Sequence, residues 1–529
     1  MLINKKLRRN LRRMIGGGLA AAAMLAASTP ALADWTRYES PRFILYSAGT
    51  NSEAREMLEE LEKFDRIMRI FMGQDVNGVP HRKLPIYLVT NSGLRTIRPD
   101  ANDNVAGFYQ TTDEDIFAVA TRGSDNHTLK HEYAHHFMLS DFSYPYPGWF
   151  IEGFAEYYAA TQFKRDVTHV GVPDQNRGMA LSYLSWMSMS ELLANRPLTK
   201  ARNSDSYYPL AWLLTHWFLG DATRRTQLSA YLRDVGEGTD PVTALEQATG
   251  LDPTQLRQTL RRYMNGRIPY SAVRTTFPAF EITSQPLPEA ADDLLLLGQQ
   301  LKMGGSEERR AQTLATIRAR AAKYPDEPLA LLIHAHAELH NGQDPDKAAS
   351  ILEHLLTIDP SHVEAMQYLV RAKLDMAQKA FETDDQEGGQ RLRHEAQSLL
   401  SRAYQVDDAN YITMLLMAEN RSSERNYPTE NDMHVLEIAY NLAPQLGQIR
   451  FNYAAALLHR GFNAEAANVI APLVNNPHGE SPAAKALYLR AKGQTEAEAA
   501  AEEEALRQKA TEEDATDTGA AGNSNSGAG

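Results

Sequence analysis

The segment TLKHEYAHHFMLSDFSYPYPGWFIEGFAEYYA, Thr128 to Ala159, sets histidines and glutamates in an apolar, aromatic background. Burying such groups is costly unless something pairs with them. His131 and His135 are four apart in HEYAH. A helix turns about 100° per residue, so the two imidazoles share a face, one turn apart. At that spacing both can reach one zinc ion at about 2.0–2.1 Å. Glu132, beside His131, is badly placed to share the ligand direction but well placed to face a coordinated water. Zinc lowers the pKa of that water toward about 7, and a neighbouring carboxylate can then act as general base.

A third ligand follows after sixteen intervening residues, where WFIEGFAEYYA opens a second helical run with Glu152 near its start and Glu156 one turn on. Pro145, Pro147 and Gly148 supply the turn that would fold this run back on the first. A His/His/Glu set leaves one zinc position open, the catalytic arrangement, whereas structural sites are closed by four protein ligands. Glu156 is the candidate for holding a ligand histidine through its second nitrogen; the alternative is a solvated charge. His136 and His216, also on apolar helical runs, read as packing residues or as supports behind the ligands rather than ligands themselves.

HEYAH followed by WFIEGFAEYY resembles the gluzincin metallopeptidases, in particular the peptidase MA-like branch related to aminopeptidase N and thermolysin. The resemblance covers about residues 35–265 and implies a zincin-like α+β domain. It implies zinc held by His131, His135 and Glu152, with Glu132 as the base and Glu156 orienting a ligand histidine. It also implies a tyrosine donor to the oxyanion; Tyr208 is the candidate, adjacent Tyr207 its rival, and packing roles for both the alternative. The interval between second histidine and third ligand is shorter than in the aminopeptidase group. Where that group carries an acid-bearing GxMEN strand, this chain reads VAGFYQ, with no acid to hold a free amino terminus. An endopeptidase is therefore expected rather than an aminopeptidase, with an extended substrate pairing along that strand's edge.

The elements that must position these residues follow from periodicity. RFILYS (42–47) and LPIYLVT (84–90) read as strands, EAREMLEELEKFDRIMRIFM (53–72) as a helix, and VAGFYQ with IFAVATR as a hairpin around the polar TTDED. The chain divides into an α+β subdomain over 35–125, a helical zinc-binding subdomain over 126–267, and a proline-spotted linker over 268–290 with room for one strand. Residues 291–492 then become repetitive. Tyr324–Pro360 and Leu442–Pro477 each open on a proline, with a glycine seventeen residues later (Gly342, Gly461) and then an alanine (Ala348, Ala466). This resembles tetratricopeptide repeats, all-α helix pairs of about 34 residues. Residues 493–529, acidic and then Gly/Ser-rich, are expected to be disordered.

At 529 residues the chain exceeds one ordinary core, and 43% hydrophobic residues mark it as globular. Its charge of −13 disfavours nucleic acid, whose affinity rests on cations neutralising phosphates. The basic residues of the first 33 (Lys5, Lys6, Arg8, Arg9, Arg12, Arg13), the run MIGGGLAAAAMLAA and the ALA at 31–33 form a signal-peptide pattern, cleaved after Ala33. No other stretch is long and apolar enough to span a bilayer, and no cysteine is present to form a disulfide. The expectation is a periplasmic or secreted zinc peptidase acting on peptide or protein substrates, its repeats free to take a protein partner. The alternatives are an envelope scaffold that binds metal without cleaving, and an amidase of cell-wall peptides.

Overall fold

The computed structural model describes residues 32–508 apart from 103–104, 124–125, 142–143, 195–197, 199–200, 477–480, 499, 502–503 and 506–507. The expected signal peptide up to residue 31 and the last part of the expected tail lie outside the described residues. Strand β1 (Leu32–Glu39) is followed by β2 (Phe43–Ser47), helix α1 (Asn51–Met72), β3 (Leu84–Val89), α2 (Asn91–Ile97), β4 (Gly107–Thr111) and β5 (Ile116–Thr121). With β9 (Thr283–Pro288) these strands make a six-stranded mixed sheet in the order β4-β5-β3-β2-β1-β9. Strand β5 shows how it is built. Ile116, Ala118 and Ala120 face one core, and Phe117 and Val119 face the other, as a period of two requires. The first face is covered by α1 and by α3 (His127–Asp141) with α4 (Gly148–Ala159). The second is covered by α2 and by α11 (Ala290–Met303).

Between α4 and β9 run β6 (Gln162–Phe163), β7 (Val167–Val170), α5 (Gln175–Tyr183), α6 (Met189–Leu193), α7 (Tyr207–Leu219), α8 (Ala222–Gly236), α9 (Pro241–Thr249), α10 (Pro253–Met264) and β8 (Ser271–Arg274). The expected linker over 268–290 needs correcting. Its residues supply β8, paired with β7, and β9, paired antiparallel with β1. The segment holds two strands where one was expected; β9 keeps its prolines because it is an edge strand, where a missing backbone donor is tolerated.

Helices α11, α12 (Glu307–Ala321), α13 (Pro328–His340), α14 (Pro345–Ile358), α15 (Val363–Glu382), α16 (Gln386–Val406), α17 (Tyr411–Arg421), α18 (Glu430–Leu442), α19 (Gly447–His459), α20 (Asn463–Val474) and α21 (Pro482–Lys492) form a helical repeat array. The polar stretch 382–390 covers the turn at 383–385 between two long helices, α15 and α16, and the first residues of the second. The array is no detached appendage: Tyr411, Leu415, Leu446 and Ile449 belong to the same buried core as α3 and α4. Disorder does not begin at 493. Residues 496–498 are helical, and Thr495 and Glu498 exchange capping bonds, as a T-x-x-E sequence entering an Ala/Glu-rich run favours. Among the described residues no helix is long and apolar enough to cross a membrane.

Candidate metal centre

Helix α3 buries Leu129, Tyr133, Ala134, Phe137 and Met138, a stripe at helical spacing that turns His131, Glu132, His135 and Leu139 toward a cleft of about 720 Å3. Tyr133 anchors that stripe by donating to Asp65 Oδ1 at 2.7 Å. Helix α4 is sunk almost entirely in protein, leaving Glu152 only 3% and Glu156 only 2% exposed. It can pack so deeply because Gly153 lets it press against α7. A Cβ there would lie 2.4 Å from the carbonyl oxygen of Ala211.

The two helices bring the predicted ligands together. His131 Nε2 and His135 Nε2 are 3.0 Å apart, and Glu152 Oε2 lies 3.5 Å from the first and 3.4 Å from the second. Three donors at such separations suit one ion with bonds of about 2 Å. The charge balance suits a cation as well. Burial disfavours a charged His135, yet Glu152, Glu132 and Glu156 outweigh it and lift its pKa to about 9. The same field would welcome zinc, and His131, His135 and Glu152 are the residues that would hold it.

Glu156 sits behind these three residues, its Oε1 3.4 Å from Nδ1 of His131. Both its oxygens accept from the Arg177 guanidinium on α5. The guanidinium also lies 5.8 Å from the centre of the Tyr208 ring. Arg177 went unnoticed in the sequence, which carries no spacing signal for it. Of the two tyrosines, Tyr208 lines the cleft, while Tyr207 is 3% exposed inside the core. Burial, reinforced by Glu152 and Glu156, pushes the Tyr208 phenol well up, keeping its proton available to donate.

His136 and His216 point elsewhere. His136 pairs with Tyr109 through Nδ1 at 3.0 Å, and burial with Arg82 and Arg69 nearby drives its pKa down to about 3. His216 lies 2.8 Å from the Gly171 carbonyl and 3.1 Å from Tyr263 Oη.

The cleft has two further walls. One is β4, the end strand of the sheet, through Tyr109 and Thr111. The other comes from the repeat array, where Gln445, Leu446, Gln448 and Arg450 close the side opposite. No sequence pattern linked these residues to a motif some three hundred positions upstream.

No known family model matches this chain, and no curated protein matches it. Solved structures with some likeness include a thermophilic TPR protein of Thermus thermophilus, at 22% identity and a TM-score of 0.32, over 38% of this chain and 98% of that one. A tetratricopeptide repeat protein from Parabacteroides merdae matches at 14% identity and a TM-score of 0.28, over 58% of this chain and 95% of that one. Likeness of this order says nothing about the activity or partners of this chain.

Proposed function

We propose that this chain is a zinc-dependent metallopeptidase of gluzincin type, periplasmic or secreted, that hydrolyses peptide bonds within extended substrates. The observation that carries the reading is the convergence of His131, His135 and Glu152 on one point, with Glu132, which the ligand set does not need, facing the same cleft. Zinc held there supplies Lewis acidity, polarising a carbonyl and lowering the pKa of coordinated water. Glu132 takes the proton of the attacking water and passes it to the departing amine. Tyr208 donates to the oxygen on which negative charge develops. The free edge of β4 pairs with the substrate backbone, and Gln445 and Gln448 of the array meet the substrate from the other side.

Export fits the region around Asp34. Its backbone N–H donates to both carboxylate oxygens of Asp292, at 3.0 and 3.2 Å. Cleavage after Ala33 would turn that amide into an ammonium beside the same carboxylate. The repeats supply a surface for a protein partner or a distal stretch of substrate.

The test compares the parent with Glu132→Gln for zinc content and for turnover of a mixed peptide library. Equal zinc in both, with turnover lost about 10²–10⁴-fold in the variant, is expected. One zinc in each and cleavage by neither would replace the enzyme with a metal-binding scaffold. No zinc in either, after reconstitution, would end both readings.

A further inference from the structure

The tip of the β4–β5 hairpin carries three consecutive acids, Asp113, Glu114 and Asp115, and the repeat array grips each of them. Arg371 on α15 donates to the Asp113 carbonyl at 3.1 Å. Lys302 on α11 meets Asp115 at 3.0 Å. Glu114 is held differently. His336 and His340, four residues apart on α13, place their Nε2 atoms 2.8 Å from its Oε2 and its Oε1 respectively. Neither nitrogen makes a well-directed hydrogen bond there, and both atoms are sealed from solvent. The ligand-type atoms of all three residues lie within 4.8 Å of one another.

We propose that Glu114, His336 and His340 form a second divalent-cation site, of zinc type, that pins the β4–β5 hairpin to the repeat array. Two imidazoles one helical turn apart and a carboxylate from a second element repeat the donor set of the catalytic centre, and two nitrogens with two carboxylate oxygens offer four donor atoms. Undirected contacts among three converging donors are what a set shaped around an ion presents. Neutral imidazole is the ligating form. Tyr368 completes the surroundings. Its hydroxyl donates to Glu114 Oε2 at 3.1 Å, and its ring stacks on His336 at 4.4 Å, so that the carboxylate and one imidazole are both fixed from behind. The hairpin pinned in this way bears Thr111 and Thr112 on the cleft wall. An ion here would therefore set the distance between the substrate-binding edge and the array. Unlike the catalytic centre, it contributes nothing to bond cleavage.

The experiment is a zinc titration of metal-free full-length protein, run on the parent, His340→Gln, and the double variant His131→Gln/His135→Gln. His340 is chosen because its side chain is 36% exposed, so the substitution leaves the core packed. Two zinc equivalents are expected for the parent and one for each variant. In the double variant, cobalt(II) in place of zinc should still give the visible absorption of a four-coordinate ion. A folded double variant that takes up no metal, or a His340→Gln protein that keeps the parent's stoichiometry, would overturn the site and leave an ion-paired triad in its place. Anomalous diffraction at the zinc edge from parent crystals gives an answer that needs no variant. A second peak between His336 and His340 is expected, and a single peak at His131 and His135 refutes the proposal.

Discussion

Oε1 of Glu156 lies 3.4 Å from Nδ1 of His131, the ring nitrogen that does not face Glu152. Because Arg177 holds both Glu156 oxygens, the carboxylate cannot swing away. In the proposed zinc centre it would fix the orientation of the ring and raise the basicity of the nitrogen turned to the metal. Replacing Glu156 by Gln should therefore weaken zinc binding about 10–100-fold without removing a ligand. Competition against a chelator of known affinity measures this. Unchanged affinity would mean that Glu156 serves only packing.

Tyr207 and Tyr208 are neighbours in sequence but not in role. Tyr208 borders the cleft with its phenol held protonated, while Tyr207 is enclosed by the core. Tyr208→Phe should lower kcat about 10²-fold with little change in KM, the signature of a donor used only in the transition state. Tyr207→Phe should leave kcat within a few-fold of the parent. The reverse pattern in steady-state kinetics would move the donor to Tyr207.

The pair of helices that makes the centre depends on a glycine. A Cβ on Gly153 would fall 2.1 Å from Thr215 Oγ1 and 2.4 Å from the Ala211 carbonyl oxygen. The hydroxyl could rotate aside, but backbone cannot. Gly153→Ala should cost about 1–3 kcal/mol through overpacking and loosen zinc binding by displacing Glu152. Urea unfolding of the zinc-free protein checks the first effect. Adding Thr215→Ala should recover only part of the loss.

What could be read from sequence was set by local periodicity. His131, Glu132 and His135 were legible because spacing on one helix fixes their mutual placement whatever surrounds it. Glu152 was legible only through its companion motif, since a residue on a second helix reaches the first by tertiary packing. Arg177, which grips Glu156, belongs to a short helix whose position depends on α4 and α7 together. One strand was expected over 268–290 and two are present, β9 carrying prolines that an edge position tolerates. The docking of Gln445 and Gln448 over the cleft follows from the cumulative rotation of several helix pairs, each small and none encoded in a residue pattern. The repeat period was plain in the two units that carry Gly342 and Gly461, and was blurred between them by the long helices α15 and α16.

Glu338, on α13, couples the array's stability to pH. Its buried carboxylate accepts hydrogen bonds from Arg318 and His334 and an ion pair from Lys347. Burial alone would raise its pKa, but Arg318, Lys347 and His334 outweigh it and bring it down to about 2. A carboxyl whose folded pKa lies below its unfolded value near 4.5 stabilises the fold above that value. The contribution is lost as pH falls through about 2. Arg318 and Lys347 are partly exposed, at 46% and 42%, so solvent screening reduces the gain to roughly 1–2 kcal/mol. Glu338→Gln should therefore raise the opening rate of α13 amides in hydrogen exchange at pH 7. At pH 3, after correction for intrinsic exchange, the difference from the parent should be smaller. A difference independent of pH would show that the side chain acts through shape and hydrogen bonding rather than charge.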